Sequence, residues 1–253
     1  MVNIDLSGRR AIVTGGSRGV GGEIARMLGA AGAHVGISYL SRHDEAATVV
    51  HELEDAGVRA WSFAGDLAGS GVADELFDRA LAEFGGVDIF IGNAGIWPPD
   101  DVPIQDMSDA QWRRTMAANL DAIFYCTRAA ARCMTGGGRI VLIGSTAGQR
   151  GEAGHADYAA SKGALMSLVK GVALEMAPRD VTVNCVAPGW IDTEMAAKPY
   201  EGAGRARIEA AIPLGRVAAA IDIAGPVVFL CSDLARHITG EVLNVNGGSV
   251  LCG

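Results

Sequence analysis

The chain has 253 residues, of which 49% are hydrophobic and 20% are charged, so it carries enough apolar material for a buried core. Its formal net charge is −8 and it has no dense run of Lys and Arg, which argues against a nucleic-acid surface. No apolar run is long enough to span a membrane and the polar segment Met1–Gly8 is unlike a signal peptide, so we expect a cytoplasmic protein.

The first half of the chain repeats one unit, a short apolar run followed by a glycine-bearing turn and a helical pattern. Strands are predicted at Arg10–Val13, Ala33–Ser38, Val58–Phe63 and Val87–Ile91, and helices at Val20–Ala31, Asp44–Ala56 and Val72–Phe84. The helices end near Gly32, Gly57 and Gly85, where left-handed caps are expected. This alternation predicts a parallel sheet with helices on both faces.

The second half continues the same alternation. It predicts one or two helices over Ala110–Met134, a strand at Arg139–Ile143, a long helix at Tyr158–Ala177, a strand at Val181–Val186, a helix at Ile221–Cys231 and a strand at Val242–Val245. No linker composition divides the halves, so residues 1–253 are predicted to form one doubly wound α/β domain of the Rossmann type. Segment 189–215 follows a strand and lacks strong periodicity, which is typical of a substrate lid.

A glycine-rich loop, TGGSRGVG at residues 14–21, follows the first strand and opens the first helix. Glycine at Gly15, Gly19 and Gly21 allows a tight turn and close approach of a phosphate to the backbone, while the helix N-terminus favours an anion. The loop therefore predicts a dinucleotide phosphate site. A glycine-rich turn without a ligand is the other interpretation of so short a motif.

Tyr158 and Lys162 are four residues apart in the predicted long helix and project from one face of it. An ammonium about 4 Å from a phenol, at an effective dielectric near ~20, stabilises the phenolate by about 4 kcal/mol, or up to roughly three pKa units. We therefore expect a Tyr158 pKa well below its usual value, suited to proton transfer. Ser145 follows a strand at the carboxyl edge of the sheet, where its hydroxyl can hold a carbonyl oxygen.

The set of motifs resembles that of the short-chain dehydrogenase/reductase family. Besides the TGxxxGxG loop, family motifs occur in order over nearly the whole chain, at Asp66-Leu67, Asn93-Ala94-Gly95, Asn119, Ser145, Tyr158-x-x-x-Lys162 and Pro188-Gly189 followed by Thr193. Gly92 is a departure, since the family usually has a second asparagine there. The resemblance implies a Rossmann-type fold and hydride transfer with a nicotinamide dinucleotide.

The resemblance also implies residue roles. Tyr158 gives a proton to a carbonyl oxygen as hydride arrives, Ser145 holds that oxygen, Lys162 also bonds the nicotinamide ribose, and Asn119 anchors a water that relays protons to Lys162. The cofactor residues are Gly15, Ser17, Arg18, Gly19, Val20, Gly21, Tyr39, Ser41, Arg42, Asp66, Leu67, Asn93, Ala94, Gly95, Tyr158, Lys162, Pro188, Gly189, Ile191 and Thr193. Most family members are homotetramers, with the helices around Asn119–Met134 and Tyr158–Ala177 at one interface.

The end of the second strand indicates which dinucleotide is used. An acidic residue there binds the adenosine ribose in NAD-preferring proteins, but Val35 to Arg42 contains none, and Asp44 and Glu45 fall in the next helix. Arg18 and Arg42 are instead suited to a 2′-phosphate. We therefore favour NADP(H) over NAD(H), with solvated surface arginines as the other interpretation.

The substrate is less well defined by the sequence. Trp97, Trp190, Met195 and Tyr200 follow strands and are candidates for an apolar substrate wall or for packing under the lid. His155 precedes the long helix and is a further candidate substrate residue, with capping or solvation of that helix as the other interpretation. Stretches such as 212–216 and 245–248 resemble 3-oxoacyl-(acyl-carrier-protein) reductases, but sugar, polyol and steroid dehydrogenases of the family share them. A small-molecule carbonyl or alcohol substrate is expected, and an acyl carrier protein stays open as a partner, with Arg128 and Arg132 as part of a basic patch.

Two rival functions are weighed against this enzyme. A dinucleotide-binding sensor without turnover would be indicated by loss of Tyr158 or Lys162, and both are present. An epimerase or dehydratase of the extended branch usually has an added domain, for which this chain has no room. The five cysteines, Cys126, Cys133, Cys185, Cys231 and Cys252, have no metal-ligand spacing, so we expect reduced thiols and no metal.

Overall fold

A computed structural model describes residues 4–69 and 71–251. Within this part of the chain, seven strands form one parallel sheet in the order β3-β2-β1-β4-β5-β6-β7. The strands are β1 (Arg10–Val13), β2 (His34–Tyr39), β3 (Ala60–Ala64), β4 (Ile89–Gly92), β5 (Arg139–Ile143), β6 (Thr182–Pro188) and β7 (Val242–Val245). The predicted parallel sheet is confirmed, and each predicted strand begins and ends within two residues of the observed one.

Helices cover both faces of this sheet, as predicted. They are α1 (Gly19–Ala30), α2 (His43–Asp55), α3 (Val72–Phe84), α4 (Asp109–Met116), α5 (Ala122–Cys133), α6 (Thr146–Arg150), α7 (Ala156–Met176), α8 (Gly204–Ala211) and α9 (Ala220–Cys231). Apolar residues of α1, α2 and α9 share one buried cluster, and those of α3, α5 and α7 share another. The two clusters lie on opposite sides of the sheet, since successive strand residues face opposite ways: Ile12 belongs to one cluster, and Ala11 and Val13 to the other.

The strand order sets the position of a ligand site. Strand β1 pairs with β2 on one side and β4 on the other, so the direction in which strands are added reverses at β1. The loops that leave the carboxyl ends of β1 and β4 therefore run to opposite faces and leave a crevice between them, which is where open α/β sheets bind ligands. Gly32, Gly57 and Gly85 have positive φ angles of 93°, 85° and 77°, which confirms the predicted left-handed caps.

The structure adds three local details to the expectation. Segment 189–215 contains single 3₁₀ turns at Glu194–Ala196 and Lys198–Tyr200 and the helix α8, whose one buried residue, Ile208, is too little to produce a periodic apolar pattern. The short helix α6 was not predicted. Between α4 and α5 the chain makes a π-helical turn at Ala117–Asp121, so the predicted stretch is two helices. No helix in the described residues is long and apolar enough to cross a membrane.

Candidate active site

The glycine-rich loop is a backbone cradle in which side chains have no room. Gly15 and Gly19 have positive φ angles of 64° and 54°, which only glycine adopts without strain. A Cβ atom added at Gly21 would lie 2.2 Å from the backbone oxygen of Gly15. Helix α1 begins at Gly19, and the preceding Arg18 makes no side-chain capping bond, so the first-turn N–H groups stay available to an anion. The predicted phosphate loop therefore has the required shape.

A hydrogen-bonded lock joins this loop to the segment after β4. The buried Thr14 hydroxyl donates to the backbone oxygen of Ile91 and accepts from the backbone N–H groups of Asn93, at 2.9 Å, and Ala94, at 3.1 Å. The Asn93 amide in turn donates to the backbone oxygens of Thr14 and Gly15. The two loops at the point of strand reversal are thus held in fixed register.

A cleft of about 460 Å³ opens along the carboxyl edge of the sheet above this lock. Every residue predicted to bind the cofactor lines it: Gly15, Ser17, Arg18, Gly19, Val20, Gly21, Tyr39, Ser41, Arg42, Asp66, Leu67, Asn93, Ala94, Gly95, Tyr158, Lys162, Pro188, Gly189, Ile191 and Thr193. Ser145, Trp97, Trp190 and Met195 line it as well, whereas Asn119, His155 and Tyr200 do not.

Tyr158 and Lys162 project from α7 towards Ser145, which caps the N-terminus of α6. The Tyr158 and Ser145 side chains share a hydrogen bond, and the Ser145 hydroxyl also accepts from the backbone N–H of Ala147 at 3.1 Å. The buried Lys162 ammonium donates to the backbone oxygen of Ile143 at 2.8 Å. A pair of hydroxyl groups with a cation behind them therefore faces the cleft.

The expected effect of Lys162 on Tyr158 is wrong for this structure. Burial raises the pKa of Tyr158 above its ordinary value, the hydrogen bond with Ser145 opposes that rise, and the negative charge of Glu152 adds to it. Lys162 Nζ lies 5.9 Å from the centroid of the Tyr158 ring and is bonded to a backbone carbonyl instead. The Tyr158 phenol is therefore protonated at neutral pH.

Lys162 is itself strongly perturbed. Burial lowers the pKa of Lys162 to about 8, and the neighbouring Cys185 thiol opposes this only in part. The same environment raises the pKa of Cys185 to about 11, first through burial. A perturbed lysine at the floor of a cleft is typical of functional sites.

Asn119 holds the site from behind and does not reach the cleft. It is fully buried in the π-helical turn Ala117–Asp121, a type of turn often found at functional sites. Its amide accepts from the backbone N–H of Ile96 at 2.7 Å and donates to the backbone oxygen of Ile96 and to the Ser161 hydroxyl. Asn119 therefore ties the segment after β4 to α7, next to Gly95.

Asp157 is a positioning residue that the sequence did not reveal. Its buried carboxylate accepts from the backbone N–H of Tyr158 at 2.8 Å and from the Thr115 hydroxyl at 2.6 Å. These bonds fix the first turn of α7 against α4. A carboxylate in the first turn of a helix is so common that its position beside Tyr158 carried no distinct signal.

One end of the cleft is walled by aromatic rings. The Trp97 ring stacks on the His155 ring, with centroids 4.4 Å apart, and meets the Trp190 ring edge-on at 6.0 Å. His155 is buried, its Nε2–H donates to the backbone oxygen of Pro98 at 2.8 Å, and its Nδ1 lies 3.5 Å from the Asp101 carboxylate. His155 thus supports Trp97 from behind and, contrary to the expectation for a substrate residue, does not line the cleft.

Tyr200 does not line the cleft and packs under the segment after β6, which is the second of the two interpretations given for it. Its hydroxyl donates to the backbone oxygen of Ile191 at 2.8 Å, and its ring packs against Trp190. Tyr200 therefore anchors the segment after β6, while Trp190 and Met195 reach the cleft surface.

The two arginines expected to bind a 2′-phosphate lie together at the mouth of the cleft. Both contact one carboxylate, that of Glu194: Arg18 Nη1 bonds it directly, and Arg42 Nη2 lies 3.4 Å from the same oxygen. Arg42 also pairs with Glu45 at 3.0 Å. The arginines converge as expected, but on an acidic residue that the sequence prediction left out.

Several other cleft residues were missed, because they lie on or beside the unpredicted helix α6, are apolar or small, or are polar residues outside any recognisable motif. They are Ser38, Leu40, Gly65, Ile96, Ala118, Ala122, Ile143, Gly144, Thr146, Ala147, Arg150, Glu152, Glu194 and Ala196. The Ser145-Thr146 pair, a common helix start, was the available signal for α6.

In the described residues, no three His, Cys, Asp or Glu side chains lie close enough together to hold a metal, and the four cysteines within them are unpaired. Cys252 lies outside the described residues.

Comparison with known proteins places this geometry in a family. The family model described as enoyl-(acyl carrier protein) reductase matches residues 15–249. The chain belongs to the short-chain dehydrogenase/reductase family. It is therefore an oxidoreductase of a family that uses NAD or NADP.

Individual relatives match over almost the whole chain. The 3-oxoacyl-[acyl-carrier-protein] reductase FabG of Escherichia coli is 39% identical over 247 residues, which cover 97% of this chain and 98% of the relative. A dehydrogenase/reductase of Sinorhizobium meliloti superposes with a TM-score of 0.92 at 37% identity, covering 98% of both chains. A blue fluorescent protein from a metagenomic library, solved in complex with NADPH, has a TM-score of 0.92 at 38% identity and covers 98% of this chain and 100% of its own.

Replacing Gly21 with Ala is expected to close the dinucleotide cradle. Because the new methyl group would meet the Gly15 carbonyl at 2.2 Å, we expect a loss of about 1–3 kcal/mol in the free energy of unfolding and no NAD(P)H binding. Gly171→Ala is the control: it lies on α7 with open space around it and should stabilise the protein by about 0.5–1 kcal/mol. Urea unfolding and nucleotide fluorescence check both; normal binding by Gly21→Ala would contradict the cradle.

The buried lysine predicts a pH-dependent stability. The pKa of Lys162 is about 8 in the folded protein, whereas its ordinary value is 10.5. Between about pH 8 and 10.5, Lys162 is therefore protonated in the unfolded chain and neutral in the folded protein. Wild-type stability should therefore rise relative to Lys162→Met above about pH 8, by up to about 1.4 kcal/mol per pH unit. Urea unfolding of both proteins from about pH 7 to 10 measures this difference.

The matched control for this experiment is Lys170→Met, on the exposed side of the same helix. The Lys170 side chain is exposed to solvent, and we expect a constant difference in unfolding free energy between wild type and Lys170→Met over the same range. If Lys162→Met behaved like this control, the lysine would not be buried as described.

Proposed function

We propose that this protein is an NADP(H)-dependent oxidoreductase that interconverts a ketone and a secondary alcohol. The observation that carries the proposal is the hydrogen-bonded pair of Tyr158 and Ser145 hydroxyls at the cleft surface, with the buried Lys162 ammonium behind them. Two hydroxyl groups directed at one point suit a substrate oxygen that gains a proton, as a carbonyl oxygen does on reduction.

The cofactor half of the cleft fits a dinucleotide. The cradle of Gly15, Gly19 and Gly21, with the N-terminus of α1 beside it, would take the pyrophosphate. Arg18 and Arg42 would take the 2′-phosphate, and Lys162 would bond the nicotinamide ribose. When bound, the nicotinamide supplies or accepts the hydride.

The chain's own residues then handle the proton. Ser145 donates a hydrogen bond to the substrate oxygen, and Tyr158 gives its phenolic proton to that oxygen during reduction. Since burial keeps the pKa of Tyr158 high, the phenol is in the acid form needed for reduction at neutral pH. The Lys162 ammonium stabilises the phenolate formed, and Asn119 and Asp157 hold α7 in place meanwhile.

A 3-oxoacyl thioester is the substrate that the name of the Escherichia coli relative supports. The aromatic wall of Trp97 and Trp190 suits an apolar chain. An acyl carrier protein as partner has less support, because Arg132 pairs with Asp74 at 3.5 Å and the Arg128 guanidinium stacks on Phe124 and Tyr125. A sugar, polyol or steroid alcohol with NAD(H) is the alternative, and reduction of an enoyl thioester is the activity in the family model's description.

We further propose that residues 1–253 act as one domain in which segment 189–215 is a substrate lid. Its Trp190 and Met195 border the cleft, and its Ile208 and Ile212 form a small buried cluster with Val217, just after the segment.

A homotetramer is also proposed from the family resemblance. Exposed apolar residues on α5 and α7, Phe124 and Leu174, support a buried helix face in such an assembly, and light scattering measures it.

Replacing Tyr158 with Phe tests the mechanism. Removing the proton donor should lower kcat for ketone reduction by about 10²–10⁴-fold, while NADPH still binds. Tyr125→Phe, on α5 and outside the cleft, is the control that should keep full activity. NADPH oxidation is followed against 3-oxoacyl and enoyl thioesters, sugars and steroids. Equal turnover by Tyr158→Phe would refute the mechanism, and turnover of enoyl thioesters alone would refute the ketone substrate.

Replacing Arg18 and Arg42 with Ala tests the cofactor. Each loss of an arginine–phosphate contact should lower kcat/KM for NADPH by about tenfold and leave NADH little changed. Arg26→Ala is the control, since Arg26 pairs with Glu52 on α2 away from the cleft. A wild-type protein that prefers NADH would overturn the proposed cofactor.

A further inference from the structure

Glu194 lies between the two arginines that form the mouth of the cleft. Its carboxylate bonds Arg18 Nη1 and lies 3.4 Å from Arg42 Nη2. The three residues come from three separate loops, after β1, β2 and β6, so the contact joins the lid segment to both sides of the cofactor cleft. All three line the cleft and are half exposed, with side-chain exposures of 46% for Arg18, 47% for Arg42 and 67% for Glu194.

We propose that Glu194 is an internal anion that competes with the 2′-phosphate of the dinucleotide for Arg18 and Arg42. The inference rests on the proposed use of these arginines by NADP(H). Glu194 would then determine cofactor specificity by weakening the binding of NADP(H). Because Glu194 lies on the lid segment, phosphate binding would also affect the position of the lid.

Charge balance decides which anion the arginines keep. A phosphate monoester carries about −1.5 to −2 charges and three acceptor oxygens, and arginine binds it in a bidentate manner. An ion pair between half-exposed arginine and glutamate side chains is weak, so the more highly charged phosphate displaces Glu194. Both anions cannot share the site at low cost, because Glu45 already neutralises part of Arg42.

Displacement of Glu194 has a structural consequence for the lid. Glu194 begins the 3₁₀ turn Glu194–Ala196, and the next residue, Met195, borders the cleft. Thr193, on its other side, faces Gly19 of the phosphate loop: a Cβ atom added at Gly19 would lie 3.7 Å from the Thr193 methyl group. NADP(H) binding therefore releases a contact that holds the lid at the cofactor mouth, whereas NAD(H), which lacks the phosphate, leaves that contact in place.

The test measures the dissociation constants of NADPH and NADH, which differ only in the 2′-phosphate, by fluorescence quenching of the cleft tryptophans. Glu194→Gln keeps the shape of the side chain and removes its charge. We expect its Kd for NADPH to fall about two- to fivefold, the range of one or two exposed ion pairs, with Kd for NADH unchanged. Glu201→Gln is the control: it removes a charge from the same lid, and within the described residues Glu201 makes no ion pair with either arginine.

A second arm assigns the effect to the arginines. In an Arg18→Ala/Arg42→Ala background, Glu194→Gln should no longer change the NADPH Kd, because the two guanidinium groups for which Glu194 and the phosphate compete are gone. A persistent effect there would overturn the proposal, as would an unchanged or raised NADPH Kd in the Glu194→Gln variant, which would mean that Glu194 orients the arginines for the phosphate.

The outcomes separate this inference from the proposed cofactor. If wild type binds NADPH more tightly than NADH and Glu194→Gln leaves the ratio of the two Kd values unchanged, the proposed cofactor stands and the proposed competition is overturned. If wild type binds NADPH and NADH equally and only Glu194→Gln binds NADPH more tightly, the proposed preference for NADP(H) is overturned and the competition is supported.

Discussion

The hydroxyl of Thr14 carries the constraint on which the rest of the site depends. It is fully buried, donates a hydrogen bond to the Ile91 backbone oxygen of β4, and accepts hydrogen bonds from two backbone N–H groups of the segment that follows β4. Because these bonds join the loops after β1 and β4 at the point of strand reversal, the glycine cradle and the Asn93–Gly95 segment have one relative position. The same segment continues to Ile96, which Asn119 fastens to α7, so the cradle and Tyr158 belong to one connected network.

The floor of the cleft is a low-dielectric environment, and this explains why Tyr158 and Lys162 shift away from their charged forms. Burial disfavours phenolate and ammonium alike, so it raises the pKa of the first and lowers that of the second. The expected attraction between ammonium and phenolate is outweighed while Lys162 is bonded to the Ile143 carbonyl. In the proposed reaction, proton transfer from Tyr158 would create a phenolate beside Lys162, so the attraction between the two groups would act during the reaction and not in the resting site.

How much could be predicted depends on whether a feature is encoded locally. The strands and the residues at their carboxyl ends were predicted, because apolar β-branched runs and parallel pairing place Thr14, Asn93 and Ser145 at one edge. Glu194 could not be predicted as an arginine partner, since 176 residues separate it from Arg18 and only the fold brings them together. His155 was misplaced for a related reason: its sequence position gives its distance along the chain from Tyr158, but not the side of Trp97 on which its ring packs.

The two aromatic sides of the proposed substrate end are held by different parts of the structure, and this bears on the proposed specificity. Trp97 rests on the buried His155, whose ring is bonded to the Pro98 carbonyl, so this side is fixed to the body of the protein. Trp190 packs against Tyr200 and the small cluster of Ile208, Ile212 and Val217, so it would move with the proposed lid. A substrate in the proposed position between the two tryptophans would therefore meet one rigid ring and one adjustable ring. Any change in lid position at the cofactor mouth would be transmitted to the adjustable ring, which lies only four residues before Glu194 in the chain.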